Sequence, residues 1–257
     1  MGIWDKFTTK VLICLEKCII YDLILYMKII DAHSHIDYIT HNFQTDVMGT
    51  VVCTTNESQW NVLLDMINHD NKIYGAFGIH PWFIEDVKDG FENRLEDLLK
   101  TNKAFMVGEI GLDKFKPNME TQIEIFKSQL DIAVKLKRTV WLHCVGAWDK
   151  VFHIFKQYNK KDLRLIVVHD FNGSNDILQK LQDNYNVVFS IGKNLMYHEN
   201  SRIEQIDINK ILIETDGKKD VLLKDIMEKI SVIKNDKNIS NVIYNNTLKV
   251  LDNGKVE

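Results

Sequence analysis

The feature that most constrains this chain is an alternation. From residue 28 onward, short apolar runs rich in β-branched residues recur, separated by stretches of helical periodicity. The runs are KIIDA (28–32), TVVCT (50–54), IYGAFGI (73–79), AFMVGEI (104–110), TVWLHC (139–144), LRLIVVH (163–169), NVVFSIG (186–192) and KILIET (210–215). Strands that are apolar throughout, instead of at every second position, are buried on both faces, as in a parallel sheet covered by helices. The clearest helical stretch is 119–138, with Ile123, Phe126, Leu130, Ala133 and Val134 along one side. Others cover 57–70, 90–101, 146–159 and 174–184, with Ser174 placed to cap the last, and 218–232 and 240–251 follow. The connection 36–48 is too short and polar for a full helix. The pattern predicts an α/β chain folded as a (β/α)8 TIM-type barrel with a short first βα unit; a doubly wound sheet is the runner-up.

Composition narrows the classes. A chain of 257 residues suits one such barrel, and 45% hydrophobic with 26% charged residues excludes wholesale disorder. A net charge of -4 excludes a strongly basic protein that coats nucleic acid, but not an enzyme that holds nucleic acid through metals and a few local cations. The cysteines Cys14, Cys18, Cys53 and Cys144 form no CxxC pair or disulfide framework, so reduced thiols in the cytoplasm are expected. Glu16, Lys17, Asp22 and Lys28 interrupt the apolar run 11–30, making it a poor membrane span, and no small-residue cleavage site follows it. Met27 stands directly before the first strand. Residues 1–26 therefore read as an N-terminal appendage, or as a short amphipathic helix packed on the domain, and 27–257 as a single barrel domain.

A barrel gathers functional residues at the C-terminal ends of its strands. His33 and His35 stand at the first strand, His80 at the third, Glu109 at the fourth, His143 at the fifth, His169 at the sixth and Asp216 at the eighth. One such residue alone is an ordinary satisfied polar group; seven in one ring are not an accident. His33 and His35 are two apart and point the same way from an extended strand, so they can chelate one divalent ion. Glu109 and Asp216 add oxygen donors, and two further histidines with a bridging carboxylate can support a second ion. Imidazole with carboxylate suits zinc, manganese or iron, and magnesium where carboxylate and phosphate oxygens dominate. Paired ions of this kind serve phosphate-ester hydrolysis.

The motifs DAHSH, GIHP, GEIGLD, LHC, VHDF-GS and ETD, in this order, resemble the TatD family of metal-dependent deoxyribonucleases, within the amidohydrolase-like barrels. The resemblance covers roughly residues 28–252, and HCVGAWD is similar to a short subgroup. It implies that His33, His35, Glu109 and Asp216 hold one metal, that Glu109 bridges to a second held by His143 and His169, and that His80 reaches the substrate phosphate. It further implies two divalent ions (magnesium, manganese or zinc) and DNA as substrate, with no membrane and no obligate protein partner. Asp216 is expected to serve also as general base, the alternative being an N-cap of the following helix. The chain departs from the family pattern after ETD, where GKKD replaces a Pro-containing loop with an Arg, and after the fifth-strand His, where many members have an Arg. Lys193 and Lys218 are candidates to supply that charge, or are solvated lysines.

Three readings follow: a phosphodiesterase acting on DNA from an end, a hydrolase of an amide or lactone on the same scaffold, and a metal-binding interaction protein without turnover. Trp82 and Trp148 follow pocket strands and either stack on a base or sugar or pack the barrel mouth. His41, His69 and His153 read as ordinary polar positions, and His198 as a residue that overhangs the pocket or does not.

Overall fold

The computed structural model describes residues 28–39, 47–197 and 201–252. The N-terminal segment 1–26, His41 and His198 lie outside the described residues. The strands are β1 (Ile29–His35), β2 (Val47–Cys53), β3 (Ile73–Phe77), β4 (Met106–Asp113), β5 (Val140–Val145), β6 (Ile166–Val168), β7 (Val187–Ile191) and β8 (Ile211–Ile213). They form one eight-stranded sheet in sequence order, and every neighbouring pair is parallel. A doubly wound sheet would reverse its order at a switch point, and this one does not. The ends meet instead: the Asp216 backbone N–H donates to the His33 carbonyl at 3.0 Å, which brings the end of β8 against β1. The expected barrel is the fold.

The apolar strands divide their side chains between two cores. One set, including Ile30, Ala32, Val51, Met106, Trp141, Val167 and Leu212, fills the barrel interior. The indole of Trp141 crosses to the first strand, donating to the Ala32 carbonyl at 2.9 Å. The second set, including Val52, Phe77, Leu142 and Phe189, meets the helices outside. The helix Ile239–Asp252 brings Val250 and Leu251 to the interior set, and Asn246 donates to the Ile211 carbonyl at 3.0 Å, at the start of β8. The bottom of the barrel is thereby covered, and the opposite end is left for the site.

The helix Met119–Leu136 buries Phe126, Leu130 and Ala133 as its periodicity demands, while Ile123 and Val134 are only half-buried. It also buries Gln122 and Gln129, which the apolar stripe did not single out. Gln129 accepts from the Ile79 N–H at 2.7 Å and donates to the Ile79 carbonyl at 3.1 Å. Gln122 does the same for Asp113, at 2.9 and 3.2 Å. Each glutamine satisfies a backbone pair that no strand reaches, and so fixes the chain beside a site residue. Ser174 caps the helix Asn175–Asn184, accepting from the Ile177 N–H at 3.3 Å, an interaction of about 1 kcal/mol. The expected helix at 218–232 begins later, at Leu223, and short helices Asn194–Tyr197 and Ser201–Gln205 were not foreseen. The first βα unit holds one turn of helix, Ile36–Ile39, among its described residues. No helix among the described residues is long and apolar enough to cross a membrane.

Candidate metal centre

All seven singled-out side chains meet at the C-terminal mouth of the barrel, and Glu109 is their hub. Its Oε2 lies 3.2 Å from His33 Nε2 and 3.4 Å from His35 Nε2. Those two nitrogens are 3.5 and 3.3 Å from Asp216 Oδ1. Its Oε1 faces the other way, 2.7 Å from His143 Nδ1, 2.8 Å from His169 Nε2 and 3.3 Å from His80 Nε2. His143 follows the interior Trp141 by two residues and His169 the interior Val167 by two, as strand alternation requires; on β1, where Ala32 is interior, the pairing with β2 is irregular between Asp31 and Ser34, and beyond it His33 and His35 turn to the centre. β4 and β5 approach unusually closely beside the hub. A Cβ on Gly111, whose φ is +149°, would sit 1.8 Å from the His143 carbonyl oxygen, so only glycine fits this position of GEIGLD.

The partners on the far side of each ring set its tautomer. His35 Nδ1 lies 3.2 Å from the Cys53 carbonyl, which can only accept, so Nδ1 carries the proton and Nε2 offers a lone pair to the centre. His169 Nδ1 lies 3.1 Å from the buried Glu214 carboxylate, with the same result. His80 is oriented oppositely. Its Nδ1 accepts from the Trp82 backbone N–H at 3.1 Å, so in the neutral ring Nε2 carries the proton. Burial pushes the His80 imidazole down to about 4 against the attraction of Glu109, which keeps it neutral. His80 is therefore a donor into the pocket, although its ring nitrogen, Glu109 and His143 lie close enough together to suggest a cation site.

The rest of the centre is electrostatically coupled. Burial raises Glu109, but His169, His80 and His33 outweigh it and hold the carboxyl well below its ordinary range. Burial likewise opposes ionisation of Asp216, and the hydrogen bonds of His33 and His35 overcome it, so that this carboxylate is also held far down. The reverse holds at His33, His143 and His169, where burial is outweighed by the surrounding negative groups and the imidazoles are raised.

The residues fit divalent cations. Glu109 Oε2, His33 Nδ1 and His143 Nε2 are buried with no hydrogen-bond partner among the described residues. Three sets of donor atoms, His33–His169–Asp216, His33–His35–Glu109 and His80–Glu109–His143, each lie within 4.8 Å of one another. Of the three unpartnered atoms only Glu109 Oε2 faces the centre, since His33 and His143 turn their other ring nitrogens to it, and a buried carboxylate oxygen without a donor is costly unless a cation neutralises it. Nitrogen with carboxylate oxygen is a donor set for zinc, manganese or magnesium. Among the described residues no thiol joins these donor sets: Cys144 belongs to the outer core with Leu112 and Leu142, and burial pushes its thiol up to about 12.

Several further residues belong to the site, each within a motif already visible in the sequence. Glu214 of ETD orients His169. Asp31 of DAHSH binds Thr215. Asp113 of GEIGLD accepts from the Trp82 indole at 2.6 Å. Of the candidate cations, Lys218 reaches the pocket and pairs with Asp216, whereas Lys193 pairs with Asp220. Asp216 does not cap a helix, because the next one begins at Leu223. Trp148 is buried against Phe152 and Phe171, while Trp82 lines the pocket and is half-exposed. His69 is exposed and its ring lies 2.7 Å from the carbonyl of Asp65, far from the centre in role; His153 is an exposed helix residue.

The family model described as TatD related DNase matches residues 30–252. The human "3'-5' RNA nuclease TATDN2" is 30% identical over 172 residues, 64% of this chain and 22% of that one, so the chain spans about a fifth of that relative. The "uncharacterized metal-dependent hydrolase MJ1582" of Methanocaldococcus jannaschii is 26% identical over 248 residues, 87% of this chain and 96% of that one. The solved structure of the TatD homologue YjjV from Escherichia coli superposes with a TM-score of 0.77 at 23% identity, covering 87% of this chain and 98% of that one. The chain belongs to the TatD related DNase family and is a metal-dependent hydrolase.

Proposed function

We propose that this protein is a deoxyribonuclease that hydrolyses phosphodiester bonds from the end of a strand, using two divalent ions, magnesium, manganese or zinc. The observation that carries the reading is the division of Glu109, whose two oxygens face two separate ligand groups. In this reading His33, His35, Glu109 and Asp216 would hold one ion, and Glu109, His143 and His169 the other. Bound ions of this kind lower the pKa of water and stabilise charge on an ester phosphate. The chain's own residues supply the rest. Asp216, kept ionised, takes a proton from the attacking water. His80 donates from Nε2 to a phosphate oxygen, as its tautomer requires. Lys218, beside Asp216, adds a cation where the family's arginine is missing. The names of the family and of the human relative favour nucleic acid as substrate. The buried free thiols Cys53 and Cys144 suit a reducing cytoplasm.

The test is a screen of the purified protein on single-stranded DNA, duplex DNA, RNA and simple phosphodiesters, each with magnesium, manganese and zinc, beside Glu109→Gln. An amide cannot neutralise two cations, so the variant should fold, bind less metal by elemental analysis and lose most of its turnover. Near wild-type turnover in the variant would remove Glu109 as a bridge. Hydrolysis of amides or lactones in place of any phosphodiester would overturn the substrate.

A further inference from the structure

Trp82 lines the pocket, and Phe115 stands on the loop after β4 that is anchored with it; the hydrolytic chemistry uses neither. Trp82 is 53% exposed and Phe115 is 80% exposed. Scattered exposed hydrophobes are ordinary, but these two are fastened to one buried carboxylate. Asp113 Oδ2 accepts from the Trp82 indole N–H at 2.6 Å, and Asp113 Oδ1 accepts from the Phe115 backbone N–H at 2.8 Å. Gln122 grips Asp113 on both sides of its backbone, so the loop after β4 is anchored from below. The anchor also touches the centre itself, with Asp113 Oδ2 at 3.8 Å from His143 Nε2. Lys116 completes the group, its ammonium lying 4.1 Å from the centroid of the Trp82 ring. A large indole held in water, oriented at its polar end and lining the catalytic pocket, is built to receive a flat ligand.

We infer that Trp82, Phe115 and Lys116 form a base-stacking subsite that holds single-stranded nucleic acid beside the metal centre. The inference rests on the phosphodiesterase reading and specifies its substrate. Aromatic faces stack on any base, which suits an enzyme that moves along a strand without reading its sequence. A duplex keeps its base faces covered by their neighbours, so a platform of this kind selects unpaired strands. Lys116, a flexible cation lying over one face of the indole, leaves that face when a base stacks there and can follow the phosphate of the stacked nucleotide. With a net charge of -4 the chain has no general field to hold a polyanion, so local contacts must do so.

The experiment measures equilibrium binding of a nuclease-resistant phosphorothioate oligothymidylate, and of an abasic strand of equal length, to the metal-loaded full chain. Wild type should favour the base-bearing strand. Phe115→Ala and Trp82→Ala should each weaken that strand by about 5- to 150-fold, the range for one lost stack, with a much smaller effect on the abasic strand. Trp82→Phe should keep part of the discrimination. Phe115 is so exposed that its loss cannot threaten the fold. Equal affinity of wild type for both strands, or equal weakening of both in the variants, would overturn the subsite. Because binding is read without turnover, base discrimination without any phosphodiester cleavage would fault the enzymatic reading alone, and cleavage without discrimination would fault the subsite alone.

Discussion

Asp31 and Thr215, 184 residues apart, are joined by two hydrogen bonds: Thr215 N–H donates to Asp31 Oδ1 at 3.0 Å and Thr215 Oγ1 donates to Asp31 Oδ2 at 2.6 Å. The same hydroxyl accepts from the Gly217 N–H at 3.1 Å, and Asp31 Oδ1 also accepts from the His33 N–H at 3.2 Å. One buried carboxylate therefore ties the strand that carries His33 and His35 to the turn that carries Asp216. The first and last strands are registered at the place where His33, His35 and Asp216, the ligands proposed for one ion, meet.

Removing the hydroxyl tests this latch. Thr215→Val leaves Asp31 Oδ2 buried without its donor, which costs about 1–3 kcal/mol of stability. It should also weaken metal binding, although neither residue is a proposed ligand. Denaturant titration and calorimetric metal titration check both effects. Unchanged metal affinity would mean that the turn at Asp216 is held by other contacts.

Asp216→Asn tests the proposed base, which the same reading also makes a metal ligand, so bound metal is measured beside the rate. Asp216 has φ +52°, a conformation that Asn adopts readily, so the variant should fold. No helix cap is lost, since the next helix starts at Leu223. Loss of a general base lowers turnover by about 10²–10⁴-fold. Steady-state rates and melting temperature separate the outcomes: an early melt with normal turnover would give Asp216 a purely structural role.

Metal affinity should rise with pH. The negative groups of the centre outweigh burial and raise His33, His143 and His169, so in the metal-free protein these rings hold protons beyond their ordinary value of about 6.5. A cation must displace those protons to bind. Each fall in pH through the raised range therefore favours the proton over the metal. Titrations at several pH values, with proton release measured in buffers of different ionisation enthalpy, should show affinity still climbing above pH 6.5. A flat profile would place the ligand set elsewhere.

We expect the segment before Met27 to be dispensable. The first strand begins at Ile29 and the family match at residue 30. A chain that starts at Met27 should keep the melting temperature and turnover of the longer one. An insoluble or inactive shorter chain would show that residues 1–26 pack as part of the fold.

Local pattern carried much of this. Apolar β-branched runs separated by helical periodicity are short-range properties, set by burial on both faces of a strand and by the amphipathic stripe of a helix, and they were legible as eight strands and a barrel. The convergence of the strand-end histidines and carboxylates was legible for a related reason: strand ends in a barrel form one ring, so residues distant in sequence could be assigned to one pocket before any distance was known. What the chain alone did not show depends on contacts between elements. Gln122 and Gln129 look like ordinary helix residues, and only packing reveals that they satisfy backbone groups beside Asp113 and His80. That His80 donates, while His35 and His169 present lone pairs, follows from which atom lies behind each ring. Trp82 and Trp148 read alike in the sequence, yet one is held at the pocket rim by Asp113 and the other is buried against Phe171. A hydrogen-bond partner supplied from another strand or helix is a property of three-dimensional placement, so these assignments belonged to the tertiary structure.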